Sequence, residues 1–184
     1  MTKLFVPFLL LSMFAYGQAT IKQKLEINNP QTIGGWKNLN ESNYSLQYPS
    51  TWELNHSGQM GTSFIILSPK ESEQDKFREN VNLIIQDLTG KDIDLNKFTE
   101  ISEGQIKIMV TNSILLESKR IKSESTEYQK IIYTGDQGIF HLKTEQYYWV
   151  VNNKSYILTF ISEQDKFISF AEKGEKILNS FEIK

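Results

Sequence analysis

Residues 44–55, YSLQYPSTWELN, residues 63–69, SFIILSP, and residues 79–88, ENVNLIIQDL, decide the fold. Each is an apolar run of strand length, rich in Ile, Leu, Tyr and Phe, and bounded by Pro49, Gly58, Gly61, Pro69 and Gly90. Tyr44, Leu46 and Tyr48 alternate with Ser45 and Gln47, as in a strand with one buried face. Phe64 to Leu67 and Leu83 to Ile85 are apolar on both alternating faces, so those strands need cover on both sides.

Working outward, a short strand is expected at Trp36 to Leu39, with Asn40 to Asn43 as the turn into Tyr44–Tyr48, and another at Thr51 to Leu54. Further strands are expected at Ile114–Ile121, Tyr128–Thr134, Phe140–Val151 and Ser155–Ile161, again with cover on both faces. On the last of these, Tyr156, Leu158 and Phe160 share one face while Ile157 and Ile161 share the other. The short connections Gly135-Asp136-Gln137-Gly138 and Asn152-Asn153-Lys154 imply antiparallel hairpins.

Two segments carry helical spacing. Leu95, Phe98, Ile101, Gln105 and Ile108 recur at steps of three and four, with Asp94 as N-cap and Gly104 a mild penalty. Phe167, Phe170, Ala171, Gly174, Ile177, Leu178 and Phe181 form the second stripe, with Asp165 or Ser162 as the cap. Helices on both faces of an antiparallel sheet predict an α+β fold, a three-layer α/β/α sandwich with a central, mainly antiparallel sheet.

The chain of 184 residues has 39% apolar and 23% charged residues, enough for one domain with a real core. Residues 1–17, MTKLFVPFLLLSMFAYG, combine Lys3, an apolar run from Leu4 to Phe14, and small residues Ala15 and Gly17 before Gln18. That is a secretory signal peptide, too short to span a bilayer, so the protein is expected to be exported, periplasmic or extracellular, after cleavage near Gly17. Residues 18–35, polar with Pro30 and a Gly pair, read as a flexible leader, and 36–184 as the folded domain. No other segment is apolar enough to span a membrane, so no membrane span is expected.

Composition narrows the function. The formal charge is −2, and only Arg78 and Arg120 are arginine, so nucleic acid is not an expected partner. The absence of cysteine removes disulfides, thiolate metal sites and thiol nucleophiles. No G-x-S-x-G elbow, phosphate-binding Gly loop or H-E-x-x-H is present.

The weaker constellations have ordinary readings beside the functional ones. His56 and His141 could join a carboxylate at a metal, but an isolated His is usually structural or exposed. Asp92, Asp94, Asn96 and Glu103 fit positions 1, 3, 5 and 12 of a calcium loop, yet Lys97 stands where that loop needs Gly, and capping explains Asp94 more simply. SEQDKF occurs at Ser72–Phe77 and again at Ser162–Phe167 with unlike flanks, which reads as recurrent turn chemistry. Tyr147, Tyr148 and Trp149 are the densest aromatic cluster; Tyr147 and Trp149 share a face, either as core or, with His141, as a partner or ligand face.

YSLQYPSTWE, SFIILSP and FRENVNLIIQDL resemble the opening of PsbP-like domains, and YILTFISEQDKFISF with ILNSFEI resembles their close. The resemblance runs from Trp36 to the C-terminus. It implies a central antiparallel sheet between helices, in a family that includes the extrinsic photosystem II subunit, periplasmic proteins similar to DcrB, and a nuclear-import factor that binds Ran. Those members share a fold without sharing one function. No catalytic, cofactor-binding or metal residue of the family maps onto this chain, and no cofactor is implied. The resulting expectation is an exported, non-catalytic module that binds a protein partner or assists assembly in the cell envelope. The alternatives are a small-ligand or lipid carrier, with an apolar cavity between sheet and helix, and a hydrolase in which His141 meets a buried carboxylate.

Overall fold

The computed structural model describes residues 35–184; the expected signal peptide at 1–17 and all but the last residue of the expected leader at 18–35 lie outside the described residues. In chain order the elements are β1 (Trp36–Asn40), β2 (Tyr44–Pro49), β3 (Glu53–Asn55), β4 (Thr62–Leu67), β5 (Asn80–Asp87) and α1 (Leu95–Met109). They continue with β6 (Thr111–Lys122), β7 (Glu127–Gln137), β8 (Phe140–Val151), β9 (Lys154–Glu163), α2 (Phe167–Asn179) and β10 (Glu182–Ile183). Seven strands form one sheet in the order β3-β4-β5-β9-β8-β7-β6, and β1-β2-β10 form a second. Every pairing is antiparallel.

Local chemistry sets these boundaries. Asp94 starts α1 by accepting the Lys97 amide at 2.8 Å, which satisfies one of the donors left free in a first helical turn. Asn152 and Asn153 both take left-handed backbone (φ 51° and 56°), the conformation a two-residue turn needs to match strand twist, so β8 folds straight back as β9.

One face of the large sheet carries Phe64, Ile66, Val81, Leu83, Leu158 and Phe160, packed with Ile177 and Leu178 of α2 and with Tyr44, Leu46 and Tyr48 of the small sheet. The opposite face carries Ile84, Ile131, Tyr133, Tyr148 and Ile157 against Phe98 and Ile106 of α1. Farther along that second face, Ile65, Leu67, Leu142 and Ile161 are covered by Phe77, which sits in the loop between β4 and β5. The α+β sandwich is therefore as expected, and the alternation of Tyr156, Leu158 and Phe160 against Ile157 and Ile161 divides them between clusters.

Four details differ from the sequence reading. The Tyr44–Tyr48 strand leaves the central sheet and, with β1 and β10, helps α2 cover it. In α1 the buried positions are Phe98, Ser102 and Ile106, while Ile108 is 84% exposed, because the helix turns that flank away from the sheet. Neither Asp165 nor Ser162 caps α2; Lys166 holds the N-cap position without a side-chain bond. β6 is an edge strand with Ile114, Leu115 and Leu116 exposed, so it lacks the two-sided cover that its apolar run suggested.

Candidate functional site

The His141 side chain lies where the β7–β8 hairpin meets the junction between β9 and α2. The hairpin register sets Asp136 opposite His141, and Gln164 donates its amide to the His141 carbonyl at 2.8 Å. Ile139, His141, Glu163, Gln164 and Asp165 line a solvent-open cleft of about 470 Å³. Ile139 is 75% exposed at its rim.

His141 Nδ1 stands 2.6 Å from Asp136 Oδ1, and Asn112 donates to Asp136 Oδ2 at 2.6 Å. These bonds, Asn112 first and His141 second, hold the Asp136 carboxyl below the usual carboxylate range. The His141 side chain is 78% exposed and that of Asp136 21%. A carboxylate orienting an imidazole is two-thirds of a nucleophile–base–orienter arrangement. With Nδ1 engaged by Asp136, the imidazole presents a polar, hydrogen-bonding edge at the open cleft.

The cleft wall is held by a cation. Lys166 Nζ lies 2.7 Å from Glu163, 2.8 Å from Glu71 and 3.7 Å from Asp75. The hydrogen bonds that Lys166 donates to Glu163 and Glu71 push its ammonium pKa well above its ordinary range. Asp75 also accepts the Glu71 and Phe77 amides, so the loop between β4 and β5 is fastened to the start of α2. The two SEQDKF copies thus touch, Lys166 of the second reaching Asp75 of the first. Behind them Glu79 is fully buried and bonded to Ser68 Oγ at 3.2 Å, and burial raises its pKa.

Tyr147 and Trp149 do not join this cleft. They are 4% and 6% exposed and belong to the α2-side core, with Tyr128 stacked on Tyr147 at 4.7 Å and Phe181 against Trp149 at 5.1 Å. Their polar atoms are satisfied internally, Tyr147 by Asn179 and Trp149 by Thr126. At about 3.3 Å per residue, Tyr147 lies roughly 20 Å along β8 from His141. On the same strand face, Glu145 is fully buried and pairs with Lys130 at 2.8 Å.

The other constellations disperse as well. His56 is exposed, and among the described residues no three His, Cys, Asp or Glu gather as a metal site. Of the calcium-like set, Asp94 caps α1, Asn96 accepts from Arg120 and Glu103 accepts from Ser118. No described helix is long and apolar enough to cross a membrane.

The sequence reading found His141 and missed its partners Asp136 and Asn112 and the Lys166 clasp. Asp136 was hidden by reading Gly135–Gly138 as the turn: β7 runs on to Gln137 and the chain turns at Gly138 and Ile139, which sets Asp136 opposite His141. The clasp joins residues too far apart in the chain to be paired by pattern.

The fold has solved counterparts. The solution structure of cyanobacterial PsbP (CyanoP) from Synechocystis sp. PCC 6803 is similar with a TM-score of 0.59 at 12% identity, covering 83% of this chain and 95% of that one. LpqN of Mycobacterium tuberculosis, involved in cell envelope biogenesis, is similar with a TM-score of 0.63 at 14% identity, covering 81% and 90%. A Pseudomonas aeruginosa protein of unknown function is similar with a TM-score of 0.56 at 11% identity, covering 80% and 96%. The chain therefore has a PsbP-like fold. No protein-family model matches it, and no curated protein does.

Proposed function

We propose that this protein is an exported, non-catalytic binding module of the cell envelope, with the His141 cleft as its partner face. The observation that carries the reading is the exposed Ile139 beside the hydrogen-bonding edge of His141 and Asp136 and the polar rim of Glu163, Gln164 and Asp165. An apolar anchor ringed by polar groups is the anatomy of a protein-binding patch. Export rests on the apolar run at 4–14 and the small residues at 15 and 17. The likeness in fold to LpqN, an envelope-biogenesis protein, supports the same compartment.

Packing favours this reading over an internal carrier. A Cβ on Gly174 of α2 would stand 2.6 Å from the Phe160 ring, so helix and sheet meet there with no room for a ligand.

The test is affinity capture from the native envelope fraction with wild-type protein and an Ile139→Asp variant, beside a broad hydrolase screen with His141→Ala. A specific protein retained by wild type in moderate salt and lost with Ile139→Asp is expected. Turnover by wild type that a folded His141→Ala variant lacks would refute the binding module in favour of an enzyme.

A further inference from the structure

The free edge of the large sheet goes beyond that reading and does not depend on it. Among the described residues β6 closes the sheet on one side, with no strand beside its outward amides and carbonyls. It is a long edge, Thr111–Lys122, where edges are usually kept short. Ile114, Leu115 and Leu116 are 60%, 46% and 53% exposed on it, a consecutive apolar run. Glu117 and Lys119 follow; neither forms a salt bridge in the sheet or with α1, and Glu117 reaches Lys130 of β7, which stands opposite Lys119, only through a longer-range attraction. Arg120, by contrast, is held inward by Gln129, Glu127 and Asn96.

We infer that β6 pairs antiparallel with β6 of a second copy of this chain about a two-fold axis at Ser118, joining two sheets into one. The evidence is self-complementary charge. A two-fold axis perpendicular to a sheet keeps each side chain on its own face, so it must pass through a residue position. An axis at Glu117 sets Glu117 against itself. One at Lys119 or Arg120 sets like cations together, and one at Ile121 sets Arg120 against Lys122. An axis at Leu116 is neutral and leaves both charges unmatched.

Only the axis at Ser118 places Glu117 opposite Lys119, and symmetry makes that pair twice. The bulge between Leu115 and Glu117 lies off the axis, and Glu117 to Lys122 pairs with β7 without a shift, so the centre of the edge is regular. An occupant other than a second copy would have no reason to find this edge self-complementary.

Sedimentation equilibrium on the purified protein tests the pairing. Wild type should show a concentration-dependent dimer that weakens with added salt. Lys119→Glu alone, or Glu117→Lys alone, turns both cross-strand pairs repulsive and should weaken the dimer on the order of tenfold or more. Mixing those two variants makes both pairs attractive again, so a heterodimer near wild-type affinity should appear where neither variant self-associates. That recovery separates lost pairing from lost folding. A wild type that stays monomeric at high concentration, variants that dimerise like wild type, or a mixture with no heterodimer would each overturn the inference. None of these results touches the His141 cleft.

Discussion

Two helical glycines should respond to the same substitution with opposite signs. Glycine in a helix interior costs about 0.8–1 kcal/mol relative to alanine, so Gly→Ala is stabilising where nothing opposes it. Gly104 of α1 has open space around its would-be Cβ. Gly174 of α2 does not: a Cβ there would meet Cδ1, Cε1 and Cγ of Phe160 at 2.6, 2.6 and 2.7 Å. Those are ring atoms of a fully buried residue packed at 5.4 Å centroid distance from Phe167, so the ring cannot swing aside. Relief requires α2 to lift from the sheet, an overpacking strain of about 1–3 kcal/mol. Net of helix propensity, Gly174→Ala should lose up to roughly 2 kcal/mol. At about 2–4 °C per kcal/mol for a domain of this size, Tm falls by as much as ~8 °C, while Gly104→Ala raises it by ~2–4 °C. Thermal unfolding followed by circular dichroism reads both. If Gly174→Ala raises Tm as much as Gly104→Ala does, the close seating of α2 on Phe160 is wrong, and with it the case against a cavity under that helix.

Phe181 packs against Tyr44, Trp149 and Tyr156 at ring distances of 5.8, 5.1 and 6.3 Å, so Phe181→Ala should cost about 3–5 kcal/mol in guanidinium unfolding; a near-unchanged midpoint would make the chain end peripheral. Burial raises the native pKa of Glu79, so its native state binds the proton more tightly than the unfolded chain does. Wild type should therefore gain on Glu79→Gln as pH falls from neutral through that raised pKa, with the Gln variant at least as stable at pH 7; a Tm difference that ignores pH would count against a buried carboxylate. Intact-mass analysis of exported protein should show a chain beginning at Gln18, and a retained Met1 would sink the export reading.

Legibility in the sequence followed the range over which each signal acts. The β8–β9 hairpin was readable because Asn152 and Asn153 announce the turn and the strand alternation is strict on both sides. Asp94 was readable as a cap because capping is decided within three residues. The departure of β2 into a second sheet was not, since its alternation satisfies any half-buried face and β10, its partner, is a two-residue strand near the far end of the chain. Ile114 to Leu116 read as interior because periodicity reports apolar character and not position within the sheet. At the candidate site, His141 stood out by rarity, whereas Tyr147 and Trp149 could be assigned to core or surface only once Phe181 and Tyr128 were seen around them.

The small sheet has a consequence for the order in which the molecule is made. β1 and β2 are the first strands of the fold, yet the third strand of their sheet is Glu182–Ile183, with Lys184 bonding back to Asn40, Glu41 and Asn43. A ribosome delivers β1 and β2 long before α2 and β10 exist to hold them. Through most of synthesis the α2-side core has no lid, and Tyr44, Leu46 and Tyr48 have only part of their final surroundings. The bond from Lys184 to Asn40 spans 144 positions, so the small sheet is complete only once Glu182–Ile183 has paired with β2. A sheet closed by strands so far apart in the chain depends on long-range contacts, which are slow to form.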